Sequence, residues 1–115
     1  MPRILLVDDD TAVRLVFLEI LFDAGYEVDT ADSFAAGSAI LDSGHPFDLL
    51  ITDGRFDEGT GPALADKANE RGIPVLVVTG NTFDIDSAKY RVLAKPMRRE
   101  ALLAAVATAL KDGSR

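Results

Sequence analysis

The sequence predicts an α/β domain: a doubly wound, five-stranded parallel sheet with helices on both faces. Three observations carry this. Short apolar runs recur along the chain and are continuous, as strands buried on both faces are. Stretches with apolar residues at helical spacing fall between them. Gly or Pro punctuates most of the joins. At 115 residues the chain has the length of one ordinary domain. Residues 1–115 are therefore read as one unit, without repeat, linker or low-complexity segment.

Taken in order, Arg3–Val7 is a short apolar run that leads into three acids and reads as the first strand. Residues 11–24 carry Val13, Val16, Phe17, Ile20, Leu21 and Ala24 at helical spacing, a core-facing stripe. Gly25 follows where a left-handed cap stops a helix. Glu27–Ala31 alternates as a second strand. Ser33 can cap a helix through Ala39, Ile40 and Leu41, which Gly44 and Pro46 close. Residues 47–52 (FDLLIT) read as the third strand, running into Asp53, and residues 54–61 as loop. Pro62 suits the first turn of a helix that Gly72 ends. Residues 74–78 (PVLVV) form the fourth strand, ending at Thr79 and Gly80. Residues 90–94 are a short, buried fifth strand before Lys95 and Pro96, and residues 98–111 a final helix.

Between Thr79 and the fifth strand lie only residues 80–89, near the roughly 10–12-residue minimum for a βαβ crossover. Asn81, Thr82, Asp84 and Asp86 favour turns. The fourth helix is therefore predicted to be shortened to a turn around residues 85–88.

Composition excludes several functions. With 48% hydrophobic and 27% charged residues the chain is globular in type, not disordered. Without cysteine it has no disulfide, thiolate nucleophile or cysteine-based zinc site. The single histidine, His45, is too few for a multi-histidine metal site. The net charge of −7 repels a phosphate backbone, so nucleic acid is not an expected partner. No apolar run approaches membrane-spanning length, and residues 4–7 are too short for a signal-peptide core. A soluble, cytoplasmic protein with no membrane partner is expected.

In open α/β sheets, ligands bind beyond the carboxyl ends of the strands, near the point where strand order reverses. To that edge the first strand delivers Asp8, Asp9 and Asp10, the third Asp53, the fourth Thr79 and the fifth Lys95. Clustered carboxylates repel one another, and a divalent cation resolves the conflict. Mg²⁺ suits one or two carboxylates plus waters and phosphate oxygens. A lysine opposite the acids, with a threonine hydroxyl, supplies what a phosphoryl group on an aspartate needs. Aspartate is an established nucleophile for phosphoryl transfer.

The segments ILLVDDD, DLLITD, PVLVVTG and AKP, in this order and at strand ends, resemble the four signature segments of response-regulator receiver domains. The resemblance covers essentially the whole chain. It implies a flavodoxin-like sheet of order 2-1-3-4-5 and a role in two-component signalling. It implies that Asp8 and Asp9 hold Mg²⁺ together with Asp53 and the backbone carbonyl of Arg55. Asp53 is then the phosphoacceptor, Thr79 follows the phosphoryl group, and Lys95 pairs with it. A cis Lys95–Pro96 peptide is implied as well. The implied partners are a histidine kinase or histidine phosphotransfer protein and a downstream protein target. The reading is of a single-domain response regulator without an output domain, a signalling phosphoprotein and not an enzyme, acting by partner binding or phosphorelay.

Three features depart from the family pattern. Asp57 stands where a proline usually follows the acceptor, Val92 stands where an aromatic switch residue is often found, and the stretch from Thr79 to Lys95 is short. Read singly, Asp10 is a helix N-cap, or else a water-mediated ligand. His45 is a turn residue. Asp57 and Glu58 are a solvated acidic loop, or else tune the metal site. Arg55 is either a bystander or a control on water reaching the acyl phosphate. Two alternatives compete for the whole chain. A haloacid-dehalogenase-type phosphatase would use Asp8-x-Asp10, but it needs a further acidic pair after the lysine and leaves Asp53 idle. A pseudo-receiver that only binds partners is opposed by the complete set of acids, threonine and lysine. A dinucleotide-binding fold lacks its glycine motif after the first strand.

The first helix carries a second stripe, Leu15, Leu18 and Phe22, opposite the first, with only Arg14, Glu19 and Asp23 left as polar surface. Either the final helix covers these side chains, or they form a docking face for a kinase helix pair or for a second copy in a homodimer.

Overall fold

The computed structural model describes residues 1–56 and 59–113; Asp57 and Glu58, expected to form a solvated acidic loop, lie outside them. Five strands are present: β1 (Arg3–Val7), β2 (Glu27–Ala31), β3 (Leu49–Asp53), β4 (Val75–Thr79) and β5 (Arg91–Ala94). They alternate with helices α1 (Thr11–Asp23), α2 (Phe34–Asp42) and α3 (Gly61–Glu70), and α4 (Arg99–Gly113) follows β5. Every strand pair is parallel and the order is β2-β1-β3-β4-β5, as expected.

The pleat explains why the central strands are apolar throughout. Ile4, Leu6, Leu49, Ile51, Leu76 and Val78 face α1 and α4 on one side. Leu5, Val7 and Leu50 face α2 and α3 on the other. Alternate residues point to opposite faces, and with both faces covered the strands stay apolar until their carboxyl ends, where Thr52, Asp53 and Thr79 lie. The strand order reverses between β1 and β3, so the connections depart to opposite faces there and leave a crevice at the strands' carboxyl ends.

Helix ends follow local chemistry. Asp10, Ser33 and Thr60 each accept a hydrogen bond from the backbone N–H three residues on, capping α1, α2 and α3. Gly25 takes φ 94° just after α1, a conformation that side chains disfavour.

Three expectations for α1 are corrected, the first being Ala24, placed in the core stripe but exposed just past the helix end. Val16, placed in the core stripe, is 54% exposed, and Leu18, placed on the outer stripe, packs against the core. At about 100° per residue, a face centred on Phe17 and Leu21 has Leu18 nearer its middle than Val16. Leu15 and Phe22 do lie outside, 56% and 70% exposed, and α4 does not cover them.

The fourth crossover holds no α-helix. A 3-10 turn spans Thr82–Asp84, earlier than the turn expected at residues 85–88. The Asn81 side chain accepts from the Phe83 N–H at 3.1 Å and starts it there. A reverse turn follows, with the Lys89 and Tyr90 N–H groups donating to the Asp86 carbonyl. Lacking a full covering helix, β5 is a half-exposed edge strand and not the buried one expected: Arg91 and Ala94 face solvent. Ile85 and Tyr90, both buried, take over part of the covering with Ala65 and Val77. Among the described residues, no helix is long and apolar enough to cross a membrane.

Candidate functional site

Parallel pairing alone brings the chemistry to one edge. In register, Val7 lies opposite Thr52, Asp53 opposite Val78, and Thr79 opposite Ala94. Asp8, Asp53, Thr79 and Lys95 therefore end or follow their strands at one level.

Asp8 is buried, and its N–H donates to the Ala31 carbonyl at 3.1 Å. Its Oδ1 accepts from the Asp10 N–H at 2.9 Å. Asp10 in turn accepts from the Val13 N–H at 3.1 Å, the N-cap role expected of it. Arg14 donates to the Asp8 carbonyl at 2.8 Å. The sequence reading left Arg14 on the polar surface. Its position was the available signal, because side chains in a helix's first turn lean back over the preceding strand end.

Lys95 spans the acids, donating to Asp8 Oδ2 at 3.1 Å and to Asp53 Oδ1 at 3.3 Å. Asp53 Oδ1 also accepts from the Gly54 N–H at 2.8 Å. Asp8, Asp9 and Asp53 each offer a carboxylate oxygen, all within 4.8 Å of one another. Burial raises Asp53 above the ordinary carboxylate range and the Asp8 charge adds to this, while Lys95 and the Gly54 N–H only partly offset it. For Lys95, burial works to lower the pKa, but the Asp8 and Asp53 carboxylates outweigh it and the net shift is upward. Lys95 is thus a firmly charged ammonium. One cation among three carboxylates leaves the cluster short of positive charge. A hard-oxygen donor set at this spacing, open to solvent through the exposed Asp9, could hold a divalent metal.

Thr79 is buried beside this cluster. Its hydroxyl accepts from the Asn81 N–H at 3.1 Å and donates to the Asn81 carbonyl at 3.3 Å. A Cβ on Gly54 would come within 2.8 Å of Thr79 Cβ and Oγ1, so Thr79 packs on the residue that follows Asp53. The Lys95 N–H donates to the Thr79 carbonyl at 2.8 Å. Arg55 is exposed and bridges Thr60 in antiparallel fashion. The Lys95–Pro96 peptide is cis. His45 is exposed and follows the turn at residues 43–44, away from the site. Val92 is partly buried, and the aromatic side chain of its neighbourhood is Tyr90, whose hydroxyl donates to Asp66 of α3 at 2.6 Å. Tyr90 carried no sequence signal of this role, because it stands five residues before Lys95 and not three.

The chain matches the family model of the response regulator receiver domain over residues 4–107. It is similar to the response regulator receiver protein CpdR of Brucella abortus (strain 2308), 33% identical over 111 residues, which cover 90% of this chain and 92% of CpdR. It is also similar to the transcriptional regulatory protein GlrR of Escherichia coli (strain K12), 34% identical over 120 residues. That match covers 97% of this chain and 27% of GlrR, so the chain spans about a quarter of that relative's length. A response regulator receiver protein from Sinorhizobium medicae WSM419 superposes with a TM-score of 0.88 at 29% identity, over 98% of this chain and 97% of the other. The receiver domain of the hybrid histidine kinase CckA superposes with a TM-score of 0.80 at 32% identity, over 94% and 98% of the two chains. The haloacid-dehalogenase alternative has no support: helix α4 follows Lys95 where a further acid-bearing strand was required. With the four motifs gathered at one sheet edge and the family model matched along nearly the whole chain, this protein belongs to the response-regulator receiver domains, the phosphorylation-dependent signalling modules of two-component systems.

Proposed function

We propose that this chain is a cytoplasmic, Mg²⁺-dependent phosphoacceptor that takes a phosphoryl group on Asp53 from a histidine kinase or histidine phosphotransfer protein. It then signals by changed partner binding or by passing the group on. It is a signalling protein and not an enzyme by class. The observation that carries the reading is the bridge from Lys95 to both Asp8 and Asp53, beside three carboxylates spaced for a cation. In the transfer an Asp53 oxygen bonds to phosphorus as the P–N bond of a phosphohistidine breaks, and the imidazole keeps the electron pair. Asp8, Asp9, Asp53 and the Arg55 carbonyl would hold the Mg²⁺, which supplies positive charge to the phosphoryl oxygens. Lys95 pairs with the added charge of roughly −1.5 to −2. Thr79 turns its hydroxyl from the Asn81 backbone toward the same oxygens.

The donor must reach Asp53, and α1 borders the way in. Ala12, Val13, Val16 and Phe17 line an apolar groove that Pro96 and Met97 close beside Lys95. A kinase or phosphotransfer helix pair seated there presents its histidine to the acid cluster, and exposed Leu15, three residues on from Ala12, borders the groove. Incubation with acetyl phosphate and Mg²⁺ tests the acceptor. Labelling is expected on the peptide containing Asp53 and is lost in Asp53→Asn and in excess chelator. Labelling of Asp53→Asn at the wild-type level would overturn the assignment.

A further inference from the structure

After the acceptor, residues 54–56 and 59–61 pair with one another as the two arms of a hairpin, which their composition did not reveal. The Gly61 N–H donates to the Gly54 carbonyl at 3.1 Å, the Phe56 N–H donates to the Gly59 carbonyl at 2.9 Å, and Arg55 pairs with Thr60 between them. Phe56 N–H and the Arg55 carbonyl belong to one planar trans peptide unit, so the first hydrogen bond fixes the direction of the second group. The hairpin closes directly on the acceptor: a Cβ on Gly61 would lie 2.2 Å from the Asp53 carbonyl oxygen.

What seats this hairpin is aromatic. Phe56 is buried in the core on the α2–α3 side of the sheet. The Phe34 ring, on the first residue of α2, meets it edge-on with centroids 6.3 Å apart. Gly59 lies against the other ring atoms of Phe34, where a Cβ would come within 2.6 Å of Cδ2. An edge-to-face pair of this kind is directional as well as apolar.

We propose that Phe34 and Phe56 are positioning residues of the metal site. They seat the paired arms 54–56 and 59–61 so that the Arg55 carbonyl and Asp53 are held in fixed relation to Asp8 and Asp9. The inference rests on the metal reading above and extends it to side chains that touch no ligand. Partners that orient metal ligands change affinity by about 10–100-fold when removed.

The test is a Mg²⁺ titration of the full chain, with the dissociation constant read from the amide shifts of Asp8, Asp9 and Gly54. Gly59→Ala drives a methyl into the Phe34 ring and is expected to weaken Mg²⁺ binding about tenfold. Phe34→Ala, which removes the ring that meets Phe56, is expected to weaken binding by a similar factor. Phe56→Ala is expected to weaken binding similarly, and Phe56→Leu to recover most of the loss. Leu102→Ala, in the core on the opposite sheet face, should lower stability and leave Mg²⁺ affinity unchanged. If Phe56→Ala does not fold, Gly59→Ala and Phe34→Ala decide alone. Wild-type affinity in folded Gly59→Ala or Phe34→Ala, or equal weakening in Leu102→Ala, would each overturn the proposal. A wild-type chain that binds no Mg²⁺ would instead overturn the metal reading beneath it.

Discussion

Lys95 donates to Asp53 Oδ1 at 3.3 Å and so occupies one edge of the carboxylate cluster that a divalent cation would share. Lysine and metal therefore compete for the same negative charge. Lys95→Met is expected to tighten Mg²⁺ binding several-fold. It should also lower the melting temperature of the metal-free protein at neutral pH, where the carboxylates lose their one bridging cation. Calorimetric titration and thermal melts read both. Weaker Mg²⁺ binding in the variant would show that Lys95 holds the acids in place and does not compete.

Asp53 is held above the ordinary carboxylate range by its burial and by Asp8. The native state thus binds more protons than the unfolded chain between the ordinary value, about 3.9, and the raised one. This group's contribution to stability is full below the ordinary value and is lost as pH rises through the raised value. Asp53→Asn, which carries no charge at any pH, should therefore melt higher than wild type at pH 7 without metal. In a domain of this size each kcal/mol corresponds to about 4–8 °C. The gap should close as the buffer is taken down through the raised Asp53 range. A variant that melts lower than wild type at pH 7 would contradict the assignment of Asp53 as a strained charge.

Leu15 is 56% exposed and supports no core contact that its loss would break. Leu15→Glu is expected to change the melting temperature by a degree or two at most, since surface substitutions stay within about 0.5 kcal/mol. Acetyl phosphate should label it as it labels wild type. Phosphotransfer from a cognate kinase should slow about tenfold, because a charge then sits against the apolar groove that the kinase helix pair must fill. Equal kinase rates for the two proteins would remove α1 from the docking surface. Leu18, packed on the core, would give an ambiguous answer in the same experiment.

Residues 80–89 are joined to the sheet mainly through Ile85 and Tyr90. Their backbone hydrogen bonds are local turns, and Phe83 is 98% exposed. Amides in this stretch should exchange with solvent fastest among the segments linking strands to helices. Tyr90→Phe removes the 2.6 Å bond to Asp66 and should cost about 1 kcal/mol. Exchange at residues 81–89 should quicken while α1 and α4 keep their protection. Slow exchange here in wild type would show a crossover more rigid than its turns suggest.

Much of this molecule was legible before any coordinates. Buried parallel strands need continuous apolar runs, so ILLV, LLIT and VLVV announced the centre of the sheet. Because these runs lead into Asp8, Asp53 and Thr79, and the fifth strand into Lys95, the groups gathered at that sheet edge could be listed residue by residue. Asp10 and Ser33 were readable as caps, since cap chemistry depends only on residues three apart. The shortened crossover was readable by length alone.

What stayed hidden depends on contacts between residues distant in the chain. Periodicity could not tell Val16 from Leu18, because which edge of an apolar helix face turns inward is set by the sheet and α4 packed against it. Arg14 came to the Asp8 carbonyl through the angle at which α1 leaves β1. Tyr90 found Asp66 across 24 residues of chain. After Asp53, residues 54–56 pair with 59–61, and Phe34, from another helix, meets Phe56 edge-on and leaves no room beside Gly59. Local chemistry along the chain thus determined which groups reach the site. Only packing between separate elements decided how those groups are aimed, since a side chain's direction depends on neighbours that the sequence brings together only in the fold.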